Sequence, residues 1–356
     1  MPMHVSRRRF GALVGSGLVA AASGLPRRAR AAETITVLNW QGYGTDEAWA
    51  LKAFTEKTGI AVKHDNFNSE EEMLTKLRTN PGAYDVVVIN SARTQQASGE
   101  DLLAPLDFAK VANAKDLSPA LRDHANFVDK GKVYGISWVW GMNSLGVRRG
   151  KISTDTLGVL TDPAYAKRVA LFDDAVTEIG IAALMTGQDI NNPKDLKAIG
   201  AKLKEMKPGV KLLWTSESEW NKAFASGEFD ISIYWSGAAG RSQRVHNLPV
   251  DFVIPKEGAI GWLDGLSVPA TSTHKDAAMA FINFMVDPAF YVPWGSTGAP
   301  ASANAAAMAA LPAEDFSKAI HKPDYLSKLQ FMSPLPDDRR QAFLDLWQET
   351  KAFYAK

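Results

Sequence analysis

The sequence predicts an α/β protein built from two doubly wound sheets. Two runs of alternating strand and helix patterns lead there, one over residues 34–89 and a second over roughly 140–262. A third observation is length. Residues 1–31 read as a removable leader, and the remaining 325 of 356 residues suit about two domains.

The first run opens at Thr34–Asn39, where β-branched and apolar residues alternate as in a strand. Asp46–Thr58 places Trp49, Ala50, Ala53 and Phe54 at helical spacing and stops at Gly59, a C-terminal helix signal. Ile60–Phe67 is a second strand. Ser69-Glu70-Glu71-Glu72 forms a capping box, in which Ser69 accepts from an orphan amide and Glu72 reaches back. It opens a helix through Arg78. Asn80-Pro81-Gly82 is a turn, and Tyr84–Ile89 is a buried strand. Strand, helix, strand, helix, strand implies parallel pairing.

The second run has strands at Val169–Phe172, Val210–Trp214 and Ile231–Trp235. Helices are expected from Asp173-Asp174 to Met185, over Pro193–Met206 and over Ser218–Ser226. Beyond it, Lys275–Val286 is an amphipathic helix closed by Asp287-Pro288, and the alanine-rich stretch Ala299–Ala310 reads as a surface helix.

The leader is chemically distinctive. Ser6-Arg7-Arg8-Arg9-Phe10 precedes the apolar, uncharged run Gly11–Leu25, and Ala29-Arg30-Ala31 follows. A basic segment, a short apolar segment and an Ala-x-Ala site make a secretory signal. The paired arginines before Phe10 are of the twin-arginine type. The apolar run is below the ~20 residues that span a bilayer. Export to the periplasm is therefore expected, with cleavage after Ala31.

The leader holds six of the chain's 40 basic residues and none of its 39 acidic ones, leaving 34 basic against 39 acidic and a net charge near −5. An acidic chain without a basic stripe argues against nucleic acid as a partner. It suits a cationic ligand. With no cysteine, disulfides, thiolate metal sites and a cysteine nucleophile are excluded. The six histidines are scattered, and no H-E-x-x-H, G-x-S-x-G or phosphate-loop pattern occurs. An enzyme is not expected, and neither a cofactor nor a metal is called for.

Ligands of open parallel sheets lie beyond the carboxyl ends of the strands. Those ends carry Trp40 and Tyr43, then Asn90, Ser91 and Arg93, then Asp173 and Asp174, then Trp235. Near them in type stand Trp262 and Asp264. Tryptophan faces attract cations, each worth about 0.5–2 kcal/mol. A carboxylate in a closed cleft costs several kcal/mol unless a cation or hydrogen bonds offset it. A cleft rich in both is built around positive charge. Each residue also has a plainer role: tryptophan fills cores, Asp173 and Asp174 open a helix as capping residues do, and Asp264 precedes Gly265 as in a turn.

With these residues assembled, the chain resembles the periplasmic spermidine/putrescine-binding proteins, solute-binding components of ABC importers. The resemblance rests on Asn39-Trp40-x-x-Tyr43, Phe54–Ile60, Asn68-Ser69-Glu70-Glu71, Tyr84–Val87, Trp140-Gly141, Asp173-Asp174-Ala175, Trp235-Ser236-Gly237, Pro255–Gly258 and Trp262-x-Asp264. It covers nearly the whole chain after the leader. It implies a two-lobed periplasmic-binding-protein fold (type II-like), with lobes at 32–138 plus 265–310 and at 139–264 plus 311–356. It implies polyamine contacts at Trp40, Tyr43, Asp174, Trp235, Trp262 and Asp264, with Ser91 near the ligand. It implies a monomeric receptor that delivers its amine to a membrane permease and ATPase.

Three positions depart from the family pattern. Gly42 stands where an acid often precedes the tyrosine, Thr177 where a second acid follows the Asp-Asp pair, and Ala92 and Arg93 where an aromatic follows the serine. Fewer acids and an arginine suggest fewer ammonium groups, or an amine that also carries a carboxylate or phosphonate. The alternatives are an amino-phosphonate, an opine-like zwitterion or thiamine. Iron sites of this type need paired tyrosines, and only Tyr43 is well placed.

Overall fold

The computed structural model describes residues 33–356, which form one compact unit. The leader and its Ala-x-Ala site lie outside the described residues.

The first half follows the expected alternation. Strand β1 (Thr34–Trp40), helix α1 (Ala48–Thr58), strand β2 (Ala61–Phe67), helix α2 (Glu70–Thr79), strand β3 (Val86–Asn90) and helix α3 (Ser91–Gly99) succeed one another. Both β2 and β3 pair with β1 in parallel, with Thr34 opposite Ala61 and Val37 opposite Val86. Gly59 ends α1 with φ 76°, a left-handed conformation that favours glycine. The capping box at α2 is half formed. Ser69 Oγ accepts from the Glu72 amide at 3.1 Å, but the Glu72 carboxylate turns to the Asn68 amide at 2.9 Å instead of that of Ser69.

A 13-residue strand, β4 (Ile136–Arg148), leads into the second half. There β5 (Val169–Phe172), α4 (Ala175–Met185), α5 (Leu196–Glu205), β6 (Val210–Trp214), α6 (Glu217–Ala225), β7 (Ile231–Trp235) and α7 (Ser236–Arg244) repeat the winding. Helix α5 starts at Leu196, later than Pro193, because Asp195 caps it by accepting from the Ala198 amide at 2.9 Å. The chain returns along β8 (Ala259–Pro269) and continues into α8 (Lys275–Met285).

These strands join in the order β2-β1-β3-β8-β4-β7-β5-β6 within one 12-stranded sheet. The outer pairs are parallel, while β8 and β4 run antiparallel to each other and to their other neighbours on this path. The two long central strands thus carry the chain between the two parallel units. The apolar interior divides along them. Ile136, Trp138 and Met142 of β4 pack into one large cluster with Val37, Val86 and Phe281. Leu145 and Val147 of the same strand pack into another with Leu171, Ile179 and Trp347.

The alanine-rich stretch is a surface helix only in its second half, Ala305–Ala310, and the residues before it are buried. Ala301 and Ser302 pair with β4 opposite Trp140 and Val139, and Asn304 then caps a short helix, Ala305–Ala310. Ala301, Ala303 and Ala307 are buried. Small side chains let this segment lie directly on the central strands. Among the described residues no helix is long and apolar enough to cross a membrane.

Candidate functional site

A cavity of about 960 Å³ opens where the carboxyl ends of β1, β3, β5 and β7 meet the central strands. Seven of the eight expected site residues line it: Trp40, Tyr43, Asn90, Asp174, Trp235, Trp262 and Asp264. The eighth, Ser91, does not. It begins α3 and is buried, its Oγ without a hydrogen-bond partner. Asn90 takes the cap position of α3 and lines the cavity beside it.

The turn after β1 sets the first wall. Asn39 Nδ2 donates to the Tyr43 carbonyl at 3.0 Å and to Thr45 Oγ1 at 2.8 Å. Gly42 has φ 69°, which lets the chain double back so that its amide reaches Asp46 Oδ2 at 2.8 Å. An acid at 42 would sit in a conformation costly for any side chain with a Cβ. The turn thereby delivers the Tyr43 ring edge-on to Trp138, with centroids 5.7 Å apart, and points its hydroxyl at Asp264.

Asp264 is the centre of this half. Strand register puts it directly opposite Asn90 across the β8–β3 pair. Tyr43 Oη donates to Oδ2 and Asn90 Nδ2 to Oδ1, both at 2.8 Å. Asn90 Oδ1 meanwhile caps α3 by accepting from the Ala92 amide at 3.0 Å, which fixes the rotamer. Both donors are neutral, and Asp264 is 7% exposed. Burial therefore lifts its carboxyl to about 6, although the two hydrogen bonds oppose the rise. The same burial, with the Asp264 charge, raises the Tyr43 phenol well above its usual range.

Glu70 is a lining residue the sequence reading missed. It is the first residue of α2, and its Oε2 is buried without a hydrogen-bond partner. Burial and then the nearby Asp264 push its carboxyl up to about 8, while Arg93 pulls it down. Three consecutive acids at 70–72 were the available signal, since a capping box needs only one of them.

The opposite wall holds Asp174 and Trp235. Asp174 caps α4, accepting from the Thr177 amide at 3.0 Å, and also lines the cavity. Burial raises its pKa. Asp173 points elsewhere, to Trp347 Nε1 at 2.7 Å and Lys351 Nζ at 2.8 Å. Glu178 does not line the cavity; it accepts from the Phe172 amide at 2.9 Å. Asn143, another lining residue, donates from Nδ2 to Thr177 Oγ1 at 3.1 Å, and its Oδ1 is buried without a partner. Trp235 stands edge-on to Phe172 and Trp214, at 5.0 and 4.9 Å.

Trp262 is held through glycine. It lies opposite Gly141 in the β8–β4 register. A Cβ on Gly141 would fall 2.2 Å from Trp262 Cζ2 and 2.8 Å from Ser236 Oγ. Ser236 in turn accepts from the Met142 amide at 3.1 Å and sits 2.9 Å from His321 Nε2. His321 Nδ1 is 2.8 Å from the Ser317 carbonyl, so Nδ1 carries the proton and Nε2 accepts from Ser236. Burial lowers this imidazole to about 4, keeping it neutral.

Three arginines also reach the cavity, and each is already matched. Arg93 pairs with Glu71, Arg340 with Asp337, and Arg241 with both oxygens of Glu217 at 3.0 and 2.5 Å. Glu70, Asp174 and Asp264 have no lysine or arginine within salt-bridge distance among the described residues. Trp40, Trp235 and Trp262 line the same cavity as these three carboxylates.

Comparison with known proteins decides the family. Residues 49–323 match the family model described as bacterial extracellular solute-binding protein. This chain belongs to that family. Its relatives include the spermidine/putrescine-binding periplasmic protein of Salmonella typhimurium, 30% identical over 262 residues covering 72% of this chain and 73% of that one. The spermidine/putrescine-binding periplasmic protein 1 of Haemophilus influenzae is 31% identical over 265 residues and 72% of each chain. Among solved structures, the spermidine/putrescine ABC transporter substrate-binding protein of Streptococcus pneumoniae superposes with a TM-score of 0.81 at 24% identity, covering 90% of this chain and 99% of that one. The solute-binding protein thus has the two-lobed periplasmic-binding-protein fold expected from its sequence.

Proposed function

We propose that this solute-binding protein captures a polyamine of the putrescine or spermidine class in the cavity and delivers it to an ABC permease and its ATPase. The observation that carries the reading is the set of three carboxylates without cationic partners, Glu70, Asp174 and Asp264, between Trp40, Trp235 and Trp262. An ammonium group supplies the charge that offsets each buried carboxylate, and the indole faces suit both the cation and the aliphatic chain between amines. The cavity volume lies at the upper end of the ~300–1,000 Å³ usual for small-molecule sites. The names of the relatives point the same way.

Trp40, Tyr43, Asn90, Asp174, Trp235, Trp262 and Asp264 are the proposed ligand residues. The lobes are taken as 32–138 plus 265–310 and 139–264 plus 311–356. Export through a twin-arginine signal to the periplasm, and action as a monomer, complete the reading.

Titration calorimetry with putrescine, spermidine, 4-aminobutyrate and 2-aminoethylphosphonate tests it. The polyamines bind and the zwitterions bind far more weakly, because Arg93 and Arg241 are already paired. Heat with the zwitterions alone would replace the ligand class, and no heat with either polyamine would remove it.

A further inference from the structure

We propose that Glu70 is a second cation-binding carboxylate of the site, sharing one proton with Asp264 until an ammonium group enters and expels that proton to solvent. This inference rests on the amine-binding reading above and deepens it.

The geometry is specific. Glu70 and Asp264 come from different elements, α2 and β8, both line the cavity, and the Asp264 charge acts on Glu70. Asp264 has a hydrogen bond on each oxygen, both from neutral groups, Tyr43 and Asn90. Glu70 lines the same cavity and has one oxygen buried with no hydrogen-bond partner. A buried acceptor without a donor costs about 1–3 kcal/mol and is expected to have a role.

The charges around the pair do not neutralise it. From α3, Arg93 acts on Glu70, but its guanidinium is bound to Glu71. From the turn after β1, Tyr43 faces both acids and is itself neutral. From α7, Arg241 acts on Tyr43 and is bound to Glu217. From β3, Asn90 offers only its amide groups. Two buried carboxylates in such surroundings cannot both ionise cheaply, and their protons leave in two steps that belong to the pair. Upper and lower values of about 8 and about 6 bracket neutrality, so the pair holds close to one proton at pH 7. The balance is simple: a pair with one proton plus an alkylammonium gives a doubly ionised pair bound to that cation, plus one proton in the buffer.

The experiment is calorimetric titration of putrescine at pH 7 in buffers of different ionisation enthalpy, on wild type and Glu70→Gln. Wild type releases close to one proton per ligand, and its affinity rises about tenfold per pH unit between pH 6 and 8. Glu70→Gln binds at least tenfold more weakly and releases almost none. Carboxyl NMR of the ligand-free protein adds an independent reading: one glutamate resonance, absent in Glu70→Gln, titrates above pH 7. Binding without proton release and with unchanged affinity in Glu70→Gln overturns this inference and leaves the amine reading intact. A Glu70 resonance titrating in the ordinary glutamate range overturns it as well. Failure of wild type to bind any polyamine removes the amine reading and this inference together.

Discussion

Asp264 has both oxygens occupied by neutral donors and no cation, which makes it the residue most dependent on the ligand's charge. Asp264→Asn is expected to lose about 2–5 kcal/mol of polyamine affinity by calorimetry at pH 8, with little change in melting temperature, since the side chain keeps its shape. Asp173 and Asp174 are adjacent yet separable. Asp174→Asn weakens binding because Asp174 faces the cavity, whereas Asp173→Asn leaves affinity unchanged and lowers stability by removing the charge that Lys351 pairs with. Equal affinities for the two variants would contradict the placement of Asp174. Which of two neighbouring aspartates faces a cleft is decided by a helix cap and a distant C-terminal helix, and neither is visible in the dipeptide.

At the scale of elements, most of the chain's winding was legible because its signals are local. Alternation at Thr34–Asn39, Gly59 after a helix and the Asp-Asp start of α4 each carry their own physics. Legible too was the collection of tryptophans and carboxylates at strand ends, since the strands were correctly located. What could not be read were facts of register. Asp264 opposite Asn90 and Trp262 opposite Gly141 depend on β8 pairing with β3 and β4, partners more than 100 residues away. Glu70 was hidden by a sufficient local explanation, the capping box. The burial of Ala301, Ala303 and Ala307 was hidden by composition, because alanine patterns do not distinguish a surface helix from a segment laid on a sheet. Gly141 gives a prediction at this scale. Gly141→Ala forces the new methyl against Trp262 and Ser236. Such overpacking costs about 1–3 kcal/mol of stability. Melting temperature falls, and affinity falls with it because the indole is displaced. A variant binding as tightly as wild type would show that Trp262 does not wall the ligand.

For the whole molecule, the site's electrostatics couple ligand, pH and stability. Glu70 and Asp264 have folded pKa values raised above those of the unfolded chain. The folded state therefore holds protons that the unfolded state has released, and this contribution to stability is lost as pH rises from the ordinary carboxylate range through about 6 and about 8. His321 acts in the opposite sense. Its folded value is lowered to about 4, so its contribution is full above the ordinary histidine range and is lost as pH falls toward that value. Thermal melts from pH 5 to 8 are expected to show the ligand-free protein losing stability toward pH 8 from the acid pair. Saturating putrescine reverses that slope, since the cation favours the ionised pair. A ligand-free protein whose stability is indifferent to pH over that range in both wild type and Glu70→Gln would contradict the coupling.

Two parallel units are joined by β4 and β8, and residues from both line the cavity. The most direct test is a crystal structure with putrescine bound. The account predicts one ammonium within hydrogen-bond distance of Asp264 and Glu70, the other toward Asp174, and the aliphatic chain against Trp40, Trp235 or Trp262. An amine held outside this cavity, or one whose ammonium groups contact none of the three carboxylates, would contradict it.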